Sequence, residues 1–214
     1  MAQISQESFK RIEGDQMTVL NYAGIGSRET PDVILKGMRN FAKYMAEQGH
    51  TVSTGGAKGA DSAFIDGAMQ GNGSLRNYLP FPGYNGYRNN IMPFDKSKKV
   101  MDLAKKYHPA WNRCSPTARL MHARNCNIIL GPHLIEPVAF ILCWTPDGLV
   151  TGGTGQALRL AKDYMIPVCN LGKAKTTEEA FEMLQTLKED IAHSIATMDL
   201  SLSGDFKLFG DYYE

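Results

Sequence analysis

The sequence predicts an α/β fold, a single domain in which a mostly parallel, doubly wound β-sheet carries helices on both faces. Short apolar runs alternate with longer amphipathic stretches along the chain, and parallel strands require crossover connections of that kind. The 214 residues, 43% hydrophobic and 21% charged, are typical of one soluble globular domain. The 21 glycines cluster after several of the apolar runs, where strand-to-helix turns are expected.

The first half of the chain predicts three strands separated by two helices. Residues 19–25 form a short apolar run, and residues 31–48 carry apolar side chains at helical spacing. A short strand candidate at 51–54, a helical pattern at 63–69 and a β-type run at 75–81 follow. This alternation predicts two successive crossover units.

The second half begins with a loop. Residues 80–90 carry turn residues at nearly every second position, which excludes a regular element and indicates a long functional loop. The run at 137–144 is the most apolar in the chain and predicts a strand buried on both faces. The remaining predicted elements are helices at 97–107 and 117–129, a helix that follows 151–156 and ends at Asp163, a strand at 166–170 and a helix at 176–193.

The two ends of the chain depart from this alternation. Residues 1–18 are polar and aperiodic and predict an N-terminal arm. Residues 19–200 hold the strand and helix patterns and predict the folded domain. Residues 201–214 form an acidic, aromatic tail, which is expected to dock on the domain or on a neighbouring subunit.

The formal net charge of +1 conceals two opposed segments. Eight lysines and arginines face one aspartate between residues 96 and 124, whereas nine acids face two lysines between residues 176 and 214. A near-neutral total gives no global field that would attract nucleic acid. The basic segment is either a surface that follows a nucleic-acid backbone or an ordinary solvated face.

Cysteine, histidine and hydropathy patterns exclude several classes of protein. The four cysteines have no C-x-x-C spacing and no signal-peptide pattern precedes them, which indicates reduced thiols in a cytoplasmic protein. The five histidines lack metal-ligand spacing, so neither a metal nor a cofactor is expected. No apolar stretch reaches the length of about eighteen residues that a membrane span needs, so no membrane association is expected.

Three glycine-rich stretches each follow a predicted strand and precede a predicted helix. The carboxyl ends of parallel strands lie at one edge of a sheet, so these stretches are expected to share a crevice there. Glycine lets a backbone approach a ligand closely, and helix N-termini direct N–H groups at an anion. The alternative for each stretch is a tight turn that needs glycine for steric reasons alone. The expected ligand-binding residues of these stretches are Gly24, Gly26, Ser27, Arg28, Thr54, Gly55, Gly56, Lys58, Gly152, Gly153, Thr154 and Gly155.

The same stretches carry a family resemblance. Residues 24–28 (GIGSR), 54–61 (TGGAKGAD), 124–125 (RN) and 152–155 (GGTG), in that order, resemble the SLOG superfamily of Rossmann-like proteins. That superfamily includes the DNA-processing protein A family and the cytokinin-activating LOG phosphoribohydrolases, and the resemblance covers roughly residues 19–170. The second motif is the most specific, because it is similar to the S-G-x-A-R-G-x-D of the DNA-processing proteins, with Lys58 in the arginine position.

The resemblance implies a Rossmann-like fold whose glycine-rich stretches hold a nucleotide phosphate, and it adds Asp61, Arg124 and Asn125 to the expected ligand-binding residues.

Two departures from the family pattern bear on the expected activity. LOG proteins continue their last glycine motif with two glutamates, whereas Gln156-Ala157-Leu158-Arg159 stands here, which argues against N-glycoside hydrolysis unless Asp61 or Glu136 substitutes. The helical and winged-helix domains that flank DNA-processing protein A have no counterpart here, which argues against a complete recombination mediator.

The 80–90 loop contributes the last expected ligand-binding residues. Tyr84 and Tyr87, with Arg88 nearby, are positioned in the sequence to stack on a nucleobase, and a loop pinned by its own aromatic side chains is the alternative.

Together, the residues and the resemblance predict a protein that senses or sequesters a nucleotide or nucleotide-derived signal. Single-domain SLOG proteins of this size resemble those of phage genomes, in which case the cytoplasm is that of the host cell. Members of the superfamily commonly pair, so a homo-oligomer is expected. Two alternatives stay open, a single-stranded-DNA-binding mediator like DNA-processing protein A and a LOG-like nucleotide N-glycosidase.

Overall fold

Six strands form one sheet in the computed structural model, which describes residues 18–88, 91–94 and 96–200. Their order across the sheet is β4-β3-β2-β1-β5-β6, and every neighbouring pair is parallel. The predicted α/β fold with a mostly parallel sheet is therefore confirmed. The strands are β1 (Asn21–Gly24), β2 (Thr51–Thr54), β3 (Ser74–Tyr78), β4 (Ile91–Met92), β5 (Ile141–Cys143) and β6 (Val168–Asn170).

Helices cover both faces of this sheet. One hydrophobic core joins the sheet to α1, α2 and α6, and a second core on the other face joins it to α3, α4 and α5. None of the helices in the described ranges has the length and hydropathy to span a membrane. The helices are α1 (Asp32–Glu47), α2 (Ala60–Gln70), α3 (Lys98–Tyr107), α4 (Pro116–Leu130), α5 (Gly152–Asp163) and α6 (Thr177–Leu200).

Aromatic side chains anchor the first core at the central strand. Tyr22 of β1 stacks on Phe140 with ring centroids 5.1 Å apart, and Phe41 of α1 meets Tyr22 edge-on at 5.9 Å. All three side chains are buried. Aromatic pairs in these geometries stabilise a fold by about 0.5–1.5 kcal/mol each beyond their buried area, so they fix α1 against β1.

The strand order reverses at β1. The chain runs outward from β1 through β2 and β3 to β4, and then returns to pair β5 on the other side of β1, where Gly24 is the register partner of Leu142. In open parallel sheets, ligands bind in the crevice above such a reversal, at the carboxyl ends of the strands. The connections after β1 and β5 flank this crevice.

The structure corrects several predicted boundaries. Helix α5 begins at Gly152, so the third glycine-rich stretch is the first helical turn and not a loop that precedes it; the Gly155 N–H already donates to the Thr151 carbonyl at 2.8 Å. Strand β4 was not predicted, because its two residues pair only with the end of β3. Helix α6 extends past residue 193 because Ile195 continues its apolar stripe against the core. The predicted arm, apart from residue 18, and the predicted tail lie outside the described residues.

Candidate functional site

The connections that follow β1, β2 and β5 contact one another at the carboxyl edge of the sheet. The Ser27 N–H donates to the Trp144 carbonyl at 3.0 Å, which joins the β1 and β5 connections. The Ala60 N–H lies 3.5 Å from the Ser27 carbonyl, which joins the β1 connection to the start of α2. The parallel sheet thus brings these stretches together, as the sequence predicts.

Close packing accounts for the glycines of the first stretch. A Cβ on Gly24 would lie 2.4 Å from the Phe64 ring, and a Cβ on Gly26 would lie 2.7 Å from the Ala60 Cβ. Real Cβ atoms do not approach other atoms so closely. At these two positions the steric alternative explains the glycine without a ligand.

The second stretch surrounds a buried ion pair. Arg124 reaches from α4 to Asp61 in the first turn of α2, with 3.5 Å between Nη1 and Oδ2 and side-chain exposures of 7% and 6%. The Arg124 guanidinium lies directly on Gly55, where a Cβ would be 1.0 Å from Nη1. Gly55 is therefore the residue that makes room for the ion pair.

Asp61 also organises the backbone of this stretch. Its Oδ2 accepts the Ala57 N–H at 3.1 Å. Burial raises the pKa of Asp61 above its ordinary value, and the Arg124 charge and the N–H groups of Ala57 and Gly55 oppose that rise. This carboxylate therefore occupies the Ala57 N–H, which is not free for a phosphate, whereas the Lys58 side chain of the same stretch is exposed.

Helix α5 presents an open N-terminus beside this pair. Gly152 and Gly153 are exposed, and a Cβ on either would meet no atom within 4 Å. No side chain caps the first turn at Thr151, and no acidic residue lies in that turn. Asn125, next to Arg124 on α4, donates to the Gly153 carbonyl at 3.3 Å and to Gln156 Oε1 at 3.1 Å. Residues 124 and 125 therefore bridge the second and third glycine-rich stretches.

The loop after β3 lies across the second stretch. Tyr84 is buried and its hydroxyl accepts a hydrogen bond from Arg28 Nη2 at 3.2 Å. Asn85 donates to the Gly56 carbonyl at 2.7 Å, and the Tyr87 hydroxyl lies 3.3 Å from Ser62 Oγ. The pinned loop that the sequence left as an alternative is the arrangement observed for Tyr84, whose ring is not available for stacking. Tyr87 is half-buried and Arg88 is exposed.

Sequence reasoning missed Asn77, at the end of β3. Asn77 is the register partner of Thr54, and a Cβ on Gly56 would lie 3.2 Å from its Oδ1. Both residues are buried, and within the described residues neither the Asn77 amide nor the Thr54 hydroxyl makes a hydrogen bond. Buried polar groups are nearly always satisfied, so these groups are expected to have a partner outside the described residues.

Ion pairing reduces the charge of the basic segment 96–124. Lys98 pairs with Asp102, Lys106 pairs with Asp163 at 3.3 Å, and Arg124 is the buried partner of Asp61. Arg119 lies over the Trp111 ring at 5.5 Å. Lys96 likewise lies over the Phe94 ring at 5.5 Å. Five of the eight basic side chains are thus engaged by acidic or aromatic side chains of the chain, and the segment is a weaker nucleic-acid surface than its sequence predicts.

A parallel sheet whose order reverses at a central strand, with glycine-rich connections at its carboxyl edge, defines a Rossmann-like α/β protein. Among solved structures, DNA processing protein A from Helicobacter pylori, which binds single-stranded DNA, matches with a TM-score of 0.51 and 18% identity over 80% of this chain and 81% of that chain. This chain has the Rossmann-like fold of that protein.

A second solved structure is less similar to this chain. The molybdenum cofactor carrier protein from Chlamydomonas reinhardtii aligns with a TM-score of 0.38 and 14% identity, over 80% of this chain and 99% of that chain. No protein-family model matches the sequence, and no curated protein matches it either.

Proposed function

We propose that this protein binds a nucleotide or nucleotide-derived molecule at the carboxyl edge of its sheet and thereby senses or sequesters it. The observation that carries the proposal is the open N-terminus of α5 beside the strand-order reversal, where Gly152 and Gly153 expose backbone without a capping side chain. Uncapped N–H groups and the helix dipole favour an anion at such a position. The exposed Arg28 and Lys58, on the two neighbouring connections, supply the positive charge that a phosphate needs.

The rest of the ligand is assigned to the space under the loop after β3. Thr54 and Asn77 supply a hydroxyl and an amide without partners in the described residues, and an amide both donates to and accepts from a nucleobase edge. The loop covers them through hydrogen bonds from Arg28 to Tyr84 and from Asn85 to Gly56. Entry of a base therefore requires this loop to lift. Its Gly83 and Gly86 have φ of +74° and +81°, a backbone region that glycine adopts without strain.

Hydrolysis of the ligand is not part of the proposal. The two carboxylates able to replace the LOG glutamates are both engaged, Asp61 with Arg124 and Glu136 with Arg76 at 3.1 Å. A catalytic base must be able to reach a water next to the scissile bond, and the ion pairs hold both carboxylates in other contacts.

Binding of single-stranded DNA is the second candidate function, because DNA processing protein A from Helicobacter pylori shares this fold. The exposed Arg28, Lys58 and Arg88 on neighbouring connections are the groups that would meet a nucleic-acid backbone. The ion pairs within segment 96–124 count against a longer basic track.

The proposed phosphate contacts are testable by substitution. Arg28→Ala and Lys58→Ala are each expected to weaken binding of nucleoside 5′-phosphates about tenfold to hundredfold, since a charge-assisted hydrogen bond contributes about 1.5–3 kcal/mol. Lys58 is exposed, so Lys58→Ala should leave thermal stability unchanged, whereas Arg28→Ala also removes the hydrogen bond to the buried Tyr84 hydroxyl and should lower stability by about 1 kcal/mol. Isothermal titration calorimetry of a nucleoside phosphate panel measures the affinities, after mass spectrometry of heat-released molecules has narrowed the panel.

The matched control is Lys99→Ala, which removes an exposed lysine on α3 and should leave the affinity unchanged. Unchanged affinity in both Arg28→Ala and Lys58→Ala would place the ligand elsewhere on the chain.

A further inference from the structure

Three side chains with metal-ligating atoms meet between α3 and α4, outside the proposed nucleotide site. His108 follows the last residue of α3, Cys114 follows the 3₁₀ turn Trp111–Arg113, and His122 lies in α4. One ligand atom from each of the three lies within 4.8 Å of the others. The spacing H-x5-C-x7-H matches no common metal motif, so the fold rather than the sequence pattern assembles this cluster.

The distances in the cluster are close to those of a zinc site. Cys114 Sγ lies 3.7 Å from His108 Nδ1 and 3.8 Å from its Nε2, and the rings of His108 and His122 have centroids 4.2 Å apart. In a tetrahedral site with Zn–S of about 2.3 Å and Zn–N of about 2.0–2.1 Å, the ligand atoms lie about 3.3–3.6 Å from one another. Binding would therefore draw together the three ligand atoms, which lie within 4.8 Å of one another in this structure.

The burial of His122 gives a second, independent indication. His122 is 8% exposed, and its Nδ1 is buried and makes no hydrogen bond within the described residues. A buried ring nitrogen without a partner destabilises a fold unless something else binds it. Cys114 and His108 are half-buried, so an ion has a path from solvent.

We infer that His108, Cys114 and His122 form a binding site for a transition-metal cation of the Zn²⁺ class, with water completing the coordination. One thiolate and two imidazoles are a donor set that suits Zn²⁺ better than Mg²⁺ or Ca²⁺, which prefer oxygen ligands. Binding releases the Cys114 thiol proton to solvent. Coordination through His108 Nδ1 replaces the hydrogen bond that this atom accepts from the Ala110 N–H at 3.2 Å. The ion would tie the end of α3 to α4.

The test uses the full chain after dialysis against a chelator. Zn²⁺ titration by calorimetry is expected to give one site per chain, and Co²⁺ loading is expected to give a thiolate-to-cobalt charge-transfer band. Cys114→Ser should abolish that band. It should weaken Zn²⁺ binding by about tenfold to hundredfold or more, because loss of a group that only hydrogen-bonds a metal ligand already has an effect of that size. His133→Asn, which replaces an exposed histidine outside the cluster, is the matched control and should change neither measurement.

His108→Asn and His122→Asn should each weaken Zn²⁺ binding as well. Because His122 is buried, circular dichroism must show that His122→Asn still folds. If that variant does not fold, Cys114→Ser tests the site instead, because Cys114 is half-buried. Absence of Zn²⁺ binding, a Co²⁺ spectrum without a thiolate band, or unchanged Zn²⁺ affinity in Cys114→Ser would each overturn the site.

Discussion

Replacement of Gly55 by alanine is expected to destabilise the protein by about 3–5 kcal/mol, the range measured when one partner of a buried ion pair is removed. The added Cβ would lie 1.0 Å from Arg124 Nη1, so the guanidinium must leave its place beside Asp61. Domains of this size are stable by only about 5–15 kcal/mol, so the variant should lose a large fraction of its stability. Urea unfolding followed by circular dichroism measures the loss.

Gly153→Ala is the matched control for this substitution. A Cβ on Gly153 meets no atom within 4 Å, and the residue lies in the first turn of α5. Because alanine favours a helix over glycine, the control is expected to be neutral or more stable by up to about 1 kcal/mol. Equal stability of Gly55→Ala and Gly153→Ala would show that Arg124 does not need the space above residue 55.

Separate removal of the two charges is expected to have effects of similar size. Asp61→Asn leaves the Arg124 guanidinium buried without its carboxylate, and Arg124→Met leaves the Asp61 carboxyl buried without its cation. Each change should destabilise the protein by about 3–5 kcal/mol, because the remaining charge keeps its desolvation cost without a partner. The double variant should lose clearly less than the two single losses added together.

A double-mutant cycle from urea unfolding of the four proteins measures this coupling. If the two losses of unfolding free energy simply add in the double variant, Asp61 and Arg124 stabilise the fold independently. The second glycine-rich stretch would then not be built around their ion pair. Lys43→Met is a suitable control, because Lys43 pairs with Glu47 at the surface and exposed pairs contribute at most about 1 kcal/mol.

The fold was predictable because its signals are local and periodic. The alternation of apolar runs with helical patterns predicted a parallel sheet, and α1, β2 and α3 lie within a residue of their predicted bounds. Strand β4 lacked a signal of its own, since two residues are too few for a periodic pattern and their pairing depends on the end of β3. The start of α5 was placed too late because glycine disfavours helix interiors, whereas Gly152 and Gly153 lie in the first turn, where that penalty matters less.

The meeting of the glycine-rich stretches was predictable, but the contacts within and around them were not. That the glycine-rich stretches meet follows from parallel strands, and the structure shows the contacts of Ser27 with Trp144 and Ala60. The pairing of Asp61 with Arg124 joins residues 63 positions apart, which no local pattern reveals. Asn77 and the cluster of His108, Cys114 and His122 were missed for the same reason, because burial and three-dimensional proximity define them.

The salt dependence of binding tests the central claim most directly. A labelled nucleoside phosphate and a labelled oligothymidine are titrated with the protein by fluorescence anisotropy over a series of salt concentrations. Micromolar or tighter binding of the nucleotide with a shallow salt slope, and weak binding of oligothymidine near physiological salt, are the results expected of a pocket that holds one phosphate group with backbone N–H groups and two cations. Tight oligothymidine binding with a slope steeper than about −3, which corresponds to four or more phosphates at about −0.7 each, would contradict the pocket and favour a single-stranded-DNA-binding protein.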